Sequence, residues 1–323
     1  MYNTNQLSNS VYSLSHLDHH HNKFDNSIKP ALTIESGDTV VFDCEEGTAG
    51  QITRHSTIET LKEMDSGAIH HLTGPIAIAG AEPGDVIEIE ILEFEHKGWG
   101  WTGIFPDLGL LADDFKDTYA LHIWKVGNDG KAKFKNGISI PIEPFCGIMG
   151  LAPAEPGAHS TAPPRRTGGN MDIRHLTKGT TLFLPVEVTG GLFSVGDCHL
   201  AQGDGEVCVT AIEAPMIVTL RFHLHKDRAI AEPQYITSGP TTNKLNGMGY
   251  FVTTSIGPDL YSLSQNAVRY MIELLVDRFS LNKEEAYMLC SVAGDLQINE
   301  IVDSPNWVVS FQMPRNIFSE QDV

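Results

Sequence analysis

The chain has 323 residues and a formal net charge of −19, which repels phosphate backbones and anionic lipids and so excludes nucleic acid and membrane surfaces as expected partners. No apolar stretch approaches the roughly 20 residues of a membrane-spanning helix, and the first residues lack the basic and apolar regions of a secretion signal. Five scattered cysteines without a Cys-x-x-Cys pair favour free thiols in a reducing cytoplasm.

Predicted strands dominate the chain up to about residue 225. Four histidines between positions 16 and 21 lie in the polar residues 1–24. We interpret them as part of a mobile surface arm or as a chance cluster, with a histidine that folds back into a site as the alternative. Residues 32–43 and 75–92 alternate apolar and polar side chains around a Gly-Asp turn, which predicts two hairpins. A short helix is predicted between them, over residues 57–64.

Aromatic residues and a long irregular segment follow. Trp99, Trp101 and Phe105 are expected to wall either a core or a substrate pocket. Residues 151–170 contain four prolines and three glycines, which excludes regular structure. A loop of this length inside a compact domain is typical of a functional segment or a linker.

The last part of the chain changes from strands to helices. The remaining predicted elements are strands over 181–188, 206–213 and 216–225, a helix over 259–279, a second helix that begins at a capping box of Asn282 and Glu285, and strands over 296–301 and 307–313. The prediction is a mainly β fold with sandwich-like or barrel-like lobes over residues 1–225 and a C-terminal α+β part over residues 226–323.

One segment, from Gly196 to Glu206, concentrates residue types that carry chemistry. Side chains two apart on a strand share a face, so Asp197 and His199 point one way and Cys198 the other. Gln202, Asp204 and Glu206 have the opposite parity, and a turn at the intervening glycines would bring the two sets together.

Three carboxylates and an imidazole at close range need either a cation or raised pKa values. A divalent metal is the simplest solution, and histidine with carboxylate oxygens suits zinc, with calcium as an alternative. A Gly/Asp-rich surface loop without chemistry would have the same composition. Asp172 adds a carboxylate at the exit of the long loop, and only one of the neighbours His70 and His71 is expected to reach a site.

Several segments together resemble the acetamidase/formamidase family, and nearer its acetamidase-like branch. They are residues 24–28, 72–76, 80–85, 169–172, 196–206, 285–298 and 302–307, of which the Gly-Asp-x-His-x-x-Gln-Gly-Asp-Gly-Glu string is the most specific. The resemblance implies a β-rich fold that hydrolyses short aliphatic amides to a carboxylate and ammonia. It also implies a bound divalent metal, often zinc, and a homo-dimer or higher homo-oligomer.

The resulting hypothesis assigns a role to each candidate residue. The metal ligands are Asp172, Asp197 and His199, with His70 as a fourth. Glu206 is the acid/base that moves protons between water and the leaving nitrogen, and Asp204 is the second catalytic candidate. Gln202 and Trp101 are assigned to the substrate, although Gln202 could equally orient a ligand.

Two alternatives stay open. Cys198 could be a nucleophile, but its neighbour His199 should face away from it and so would not form a natural pair. The chain could also be a non-catalytic β protein that holds a metal or a small ligand without turning it over.

Overall fold

A computed structural model describes residues 10–135, 137–238, 248–301 and 304–319. The described strands are β1 Val11–Ser15, β2 His20–His21, β3 Lys23–Phe24, β4 Leu32–Ile34, β5 Thr39–Cys44, β6 Leu72–Ile78, β7 Val86–His96, β8 Trp99–Ile104, β9 Ala120–Val126, β10 Lys131–Lys133, β11 Ser139–Pro141, β12 Phe145–Leu151, β13 His159–Ser160, β14 Gly168–Asn170, β15 Thr181–Pro185, β16 Phe193–His199, β17 Met216–His225, β18 Gln234–Ile236, β19 Tyr250–Gly257, β20 Asp295–Glu300 and β21 Trp307–Pro314. The described helices are α1 Ile58–Glu63, α2 Leu260–Phe279 and α3 Lys283–Ala293, with 3-10 turns at Ser66–Ala68 and Arg315–Ile317.

Two six-stranded sheets build most of the fold, which confirms the mainly β prediction. The first has the order β1-β5-β17-β7-β15-β18, and the second has the order β14-β12-β16-β6-β2, with β4 also paired to β6. Aromatic side chains bind them together: the Phe193 ring lies 6.0 Å from that of Phe42 and 5.0 Å from that of Phe222. All three rings are fully buried, so the core lies between the sheets.

The two predicted hairpins are wrong, although their turns are present. Strand β4 pairs with β6 in one sheet, whereas β5 pairs with β1 and β17 in the other. The Asp38 side chain accepts hydrogen bonds from the backbone N–H groups of Ser10 and Glu35, which fixes the intervening turn. Strands β6 and β7 are likewise divided between the sheets. The alternation of residues identifies each strand but does not identify its partner.

The predicted surface arm is wrong for residues 10–24. Strand β1 pairs with β5, and β2 adds His20 and His21 to the edge of β6. Residues 151–170, predicted to be wholly irregular, contain the short strands β13 and β14.

The C-terminal part has the predicted two helices and closing strands. The capping box is confirmed, because Asn282 Oδ1 accepts from Glu285 N at 2.8 Å and Glu285 Oε2 accepts from Asn282 N at 2.9 Å. Helix α2 packs on a small sheet of order β19-β21-β20. No helix in the described ranges is long and apolar enough to cross a membrane. The division at residues 225 and 226 stays a prediction.

Helix α3 supports the loop that follows β16. The Ser291 hydroxyl donates to Thr210 O at 2.7 Å and accepts from Cys208 N at 3.1 Å, and Ser291 O accepts from Gly203 N at 2.7 Å. A Cβ at Gly203 would lie 1.7 Å from Gly294 O, so only glycine fits there. The predicted strand over 206–213 is wrong, because this segment is a series of turns that forms isolated β-bridges only at Glu213.

Phe193→Ala tests the core between the sheets. We expect the free energy of unfolding to fall by about 3–5 kcal/mol, because truncation of a buried phenylalanine leaves a cavity that rigid strands fill poorly. Chemical denaturation of the purified protein measures this change. Ile236→Ala, at a side chain that is 62% exposed, should change stability little; equal effects in both variants would contradict the assignment of the core.

Candidate active site

A cavity of about 440 Å³ opens beside the end of β16. It is lined by Gly47, Thr48, Met64, Ser66, Ile69, His70, Trp101, Phe105, Leu108, Ala162, Asn170, Asp172, Asp197, Glu206, Val209, Thr210 and Glu213. Its floor is acidic and its walls are largely apolar, a combination typical of small-molecule sites.

Four carboxylates surround one imidazole at the floor. His199 Nε2 lies 3.1 Å from Glu213 Oε2 and 3.7 Å from Asp197 Oδ2. Ligand atoms of His199, Asp172 and Glu206 also all lie within 4.8 Å of one another. The two groups share His199, which is 1% exposed, so the floor is one continuous cluster.

Backbone conformation positions these carboxylates. Asp172, Asp197 and Glu206 have φ values of 49°, 52° and 41°, and His70 has 56°. The left-handed region is uncommon for residues other than glycine and costs free energy, so its recurrence at one cavity indicates a site that the surrounding fold enforces.

Two glycines give the carboxylates room. A Cβ at Gly47 would lie 2.4 Å from Asp197 Oδ1, and a Cβ at Gly147 would lie 2.6 Å from Asp172 Oδ1. The register of β12 and β16 places Gly147 opposite Asp197. Any side chain at either position would displace an acidic group from the floor.

Glu213 is held between two sheets. Its backbone N–H donates to Trp101 O at 2.8 Å and its carbonyl accepts from Trp101 N at 2.9 Å, on β8. On the other side it forms a β-bridge with His199, on β16. The four-stranded sheet β11-β10-β9-β8 is therefore connected through Glu213 to the six-stranded sheet that contains β16.

Gln202 fixes the tautomer of His199. Its amide Nε2 donates to the carbonyl of Asp172 at 2.8 Å, so its Oε1 faces His199 Nδ1 at 3.0 Å and must accept a proton from it. With the proton on Nδ1, the Nε2 lone pair of a neutral ring points toward carboxylate oxygens. Gln202 is 3% exposed and does not line the cavity, so its position favours orientation of His199 over contact with a substrate.

The cluster fits a divalent cation. His199 Nε2, Glu213 Oε2 and Asp172 Oδ1 are buried and have no hydrogen-bond partner. Buried polar atoms are normally paired. In the metal-free chain a protonated His199 can offer its Nε2 proton to Glu213 and Asp197. A neutral His199 with its proton on Nδ1 leaves only lone pairs on these atoms, which a divalent cation between them would satisfy. One imidazole nitrogen with carboxylate oxygens is a donor set that zinc accepts.

The pKa values report the same crowding. Burial raises the pKa of Asp172 to about 7, and burial followed by the charge of Asp172 raises the pKa of Glu206 well above its usual value. Burial opposes ionisation of Asp197 too, but the neighbouring His199 lowers its pKa to about 2. Burial would lower the pKa of His199, yet Glu213 and Asp197 hold it well above its usual value.

Glu46 and Trp101 brace one wall. The indole N–H of Trp101 donates to Glu46 Oε2 at 2.7 Å, and the backbone N–H groups of Thr48 and Gly50 donate to the same carboxylate. Burial nevertheless raises the pKa of Glu46 to about 7. This network fixes the ring of Trp101, which lines the cavity as predicted.

Most of the predicted site residues meet at the cavity, but Asp204 does not. Its side chain is 40% exposed and lies 3.9 Å from Arg174 and from His175. Its backbone N–H donates to Asp295, which turns the residue toward β20. The catalytic role predicted for Asp204 therefore has no support from its position, because strand parity does not continue through an irregular loop.

The paired histidines divide as expected. His70 lines the cavity and its Nδ1 lies 3.1 Å from Thr161 Oγ1. His71 points away, with its ring centroid 4.0 Å from that of His20. No histidine of the group at positions 16–21 lines the cavity.

Sequence reasoning missed Glu46, Glu213 and Asn170. Glu213 is the last residue of a segment predicted to be a strand, and only its bridge to His199 reveals its place in the cluster. Asn170 belongs to the family-like segment 169–172 but has no predicted role, yet its side-chain oxygen is buried, has no hydrogen-bond partner and lies at the cavity. Its Nδ2 donates to Ala162 O at 3.0 Å, which fixes the orientation of the amide.

Cys198 lies on the opposite face of β16, as the strand parity predicted. Its side chain is fully buried and its Sγ is 3.7 Å from that of Cys146. Contact with Cys146 and burial hold its pKa well above the usual value for a thiol. A buried, protonated thiol is a poor nucleophile.

Comparisons with known proteins agree with the sequence motifs. Residues 12–156 and 154–320 match the profile of the Acetamidase/Formamidase family. A formamidase of Methylophilus methylotrophus is 27% identical, with 92% of this chain and 89% of that protein covered.

Two solved structures share the fold. A gamma lactamase from Delftia acidovorans superposes with a TM-score of 0.87 at 25% identity, covering 95% of this chain and 93% of that one. An acetamidase from Bacillus halodurans superposes with a TM-score of 0.66 at 30% identity, covering 93% and 96%.

The raised carboxyl pKa values predict an unusual pH dependence for the metal-free protein. Between pH 4.5 and about 7 the folded chain keeps a proton on Glu46 that the unfolded chain has lost, and Asp172 acts in the same direction. The folded state then binds more protons, so the free energy of unfolding should fall as pH rises through this window.

Chemical denaturation in the presence of a chelator measures this slope. Glu46→Gln should make it shallower, whereas Glu63→Gln, at an exposed position on α1, removes the same charge and should not. A stability that is constant or rises with pH in this window would show that these carboxyls are ionised in the folded protein.

Proposed function

We propose that this chain, which belongs to the acetamidase/formamidase family of amide hydrolases, hydrolyses primary amides to a carboxylate and ammonia. The reaction would take place in the acidic cavity with the help of a divalent cation. One observation carries the proposal. Three buried electron-rich atoms, on Asp172, His199 and Glu213, meet at the cavity floor without a hydrogen-bond partner. A binding site for a cation and a substrate carbonyl would have this character.

The residues that would hold the cation are His199, Asp172, Asp197 and Glu213, with zinc as the expected ion and calcium as the alternative. Three of them were proposed from the sequence, and Glu213 is added because of its 3.1 Å approach to His199. His70 remains a candidate through its place in the lining. A divalent cation at this floor would polarise the amide carbonyl and make water a stronger acid.

Glu206 is the proposed acid/base. Its carboxyl lines the cavity and lies within 4.8 Å of the ligand atoms of Asp172 and His199, where it could take a proton from water and give it to the substrate nitrogen. As a water oxygen bonds to the carbonyl carbon, Glu206 takes the water proton. It then gives that proton to the amide nitrogen as the carbon–nitrogen bond breaks, and ammonia leaves.

Asn170 is proposed to bind the amide nitrogen of the substrate. Its Oδ1 is a buried acceptor without a donor, and the substrate NH₂ group offers one. The sequence predicts substrate binding for Gln202, but its side-chain amide already forms hydrogen bonds with His199 and with the carbonyl of Asp172. Trp101 and its neighbours would contact the acyl part.

A cyclic amide is the second candidate substrate. The gamma lactamase from Delftia acidovorans superposes better than the Bacillus halodurans acetamidase, with TM-scores of 0.87 and 0.66. Ring opening releases an amino acid rather than ammonia, so the two activities are measured by different products. The cytoplasmic location and the homo-dimer or larger homo-oligomer stay predictions.

Glu206→Gln tests the acid/base assignment. We expect turnover of acetamide to fall by about 10²–10⁴-fold, because the amide side chain cannot carry a proton from water to nitrogen. Metal content, measured by mass spectrometry, should be unchanged. Asp204→Asn is the matched control, since it also removes one carboxylate from the motif but lies outside the cavity, and it should keep most of the activity. If Glu206→Gln turns over normally, Glu206 is not the acid/base.

Cys198→Ala tests the rival nucleophile. The variant should release ammonia from acetamide at nearly the normal rate, because Cys198 is buried on the far face of β16. Removal of the metal with a chelator should abolish ammonia release. Loss of activity in a folded Cys198→Ala protein, together with full activity in chelator, would instead favour a thiol mechanism. No ammonia from any amide would favour a binding protein.

A further inference from the structure

Above its acidic floor the cavity has an apolar wall. Met64, Ile69, Trp101, Phe105, Leu108 and Val209 all line it. They come from three separate stretches of the chain, 64–69, 101–108 and the loop at 209, so the wall is not formed by one apolar strand. A substrate held at the floor by its amide group would place its acyl group against these side chains.

Two wall residues are displayed at the mouth of the cavity. Leu108 is 49% exposed and Val209 is 39% exposed. Val209 also has a φ of 75°, in the left-handed region where a β-branched residue is a true outlier. A strained and exposed valine is costly in the free protein, and strain of this kind concentrates at ligand sites.

The cavity is far larger than the smallest amides need. Its volume of about 440 Å³ lies in the range of about 300–1,000 Å³ that encloses drug-sized ligands. The acyl group of acetamide is a single methyl group, which would leave most of the wall in contact with water.

The charge of the cavity limits the acyl group further. Among the described residues that line it, none is lysine or arginine, whereas Asp172, Asp197, Glu206 and Glu213 are acidic. A carboxylate on the acyl chain of the substrate would find no lysine or arginine in the lining and would be repelled by the acidic floor. The acyl group that fits is therefore neutral and apolar.

We propose that the preferred substrates are primary amides of neutral acids whose apolar acyl chain is several carbons longer than acetyl, with Leu108 and Val209 as specificity-determining residues. The proposal rests on the proposed amide hydrolysis at the same site. Each additional methylene that reaches the wall leaves water, which favours the longer chain.

Initial rates of ammonia release from the metal-loaded enzyme test this preference. The substrates are acetamide, butanamide, hexanamide and the monoamide of adipic acid, which matches hexanamide in length but ends in a carboxylate. We expect kcat/KM to rise about fourfold for each methylene that is buried. The adipic monoamide should be poorer than hexanamide by about tenfold or more, because its charge is buried without a partner.

The double variant Leu108→Ser/Val209→Ser removes the apolar rim at exposed positions that tolerate a polar residue. It should lower the ratio of kcat/KM for hexanamide over acetamide by about tenfold, from the loss of two apolar contacts. Ile256→Ser, at a side chain that is 68% exposed and does not line the cavity, should leave the ratio unchanged.

The outcomes separate the two proposals. An equal or higher kcat/KM for acetamide than for hexanamide, or a ratio that the rim variant does not change, would overturn the preference while amide hydrolysis stands. Equal rates for hexanamide and the adipic monoamide would overturn the charge argument. If none of the four amides releases ammonia, the proposed function itself is wrong.

Discussion

The structure around the cavity depends on one constraint, the crowding of four carboxylates, two buried and two half-buried, around the single imidazole of His199. Like charges at this distance cannot all remain ionised in a buried place unless something positive balances them. Raised pKa values on Asp172 and Glu206, and a lowered one on Asp197, are how the chain alone meets the constraint. A bound cation meets it more completely, since it also satisfies the three unpartnered atoms. The features that would make the site reactive therefore also make it costly to fold.

Hydrogen bonds of the surrounding fold hold the site residues in place and offset the repulsion between the carboxylates. Glu213 is held by backbone bonds to Trp101 and its bridge to His199, and Gln202 fixes the imidazole. Gly47 and Gly147 keep the acidic groups from being displaced. Helix α3 then holds the loop between β16 and Glu213 from below, through Ser291. A site made of mutually repelling groups needs such a frame, because none of its members stabilises its own position.

Much of this could be predicted from sequence, and the failures have a common cause. Local patterns identified α2, α3, most strands and the face shared by Asp197 and His199, because periodicity and capping are local properties. Strand pairing is not local. The two apolar runs with a Gly-Asp turn predict hairpins, but the two strands of each run lie in different sheets. The alternation of side chains along a strand does not continue beyond the end of β16, so it wrongly predicts that Asp204 faces the site. Glu213 and Asn170 carry no sequence signal of their own, and only three-dimensional contacts bring them to the cavity.

The two parts of the cavity have different structural origins. The floor belongs to the sheets: His199 and Asp197 lie on β16, and Glu213 bridges β16 to β8. Much of the wall comes from connections, with Leu108 after β8 and Val209 in the loop above α3. Loops accept substitution and insertion far more readily than paired strands do. Descendants of this chain could thus acquire new acyl preferences by changing a few rim residues, while the inherited chemistry at the floor stays intact.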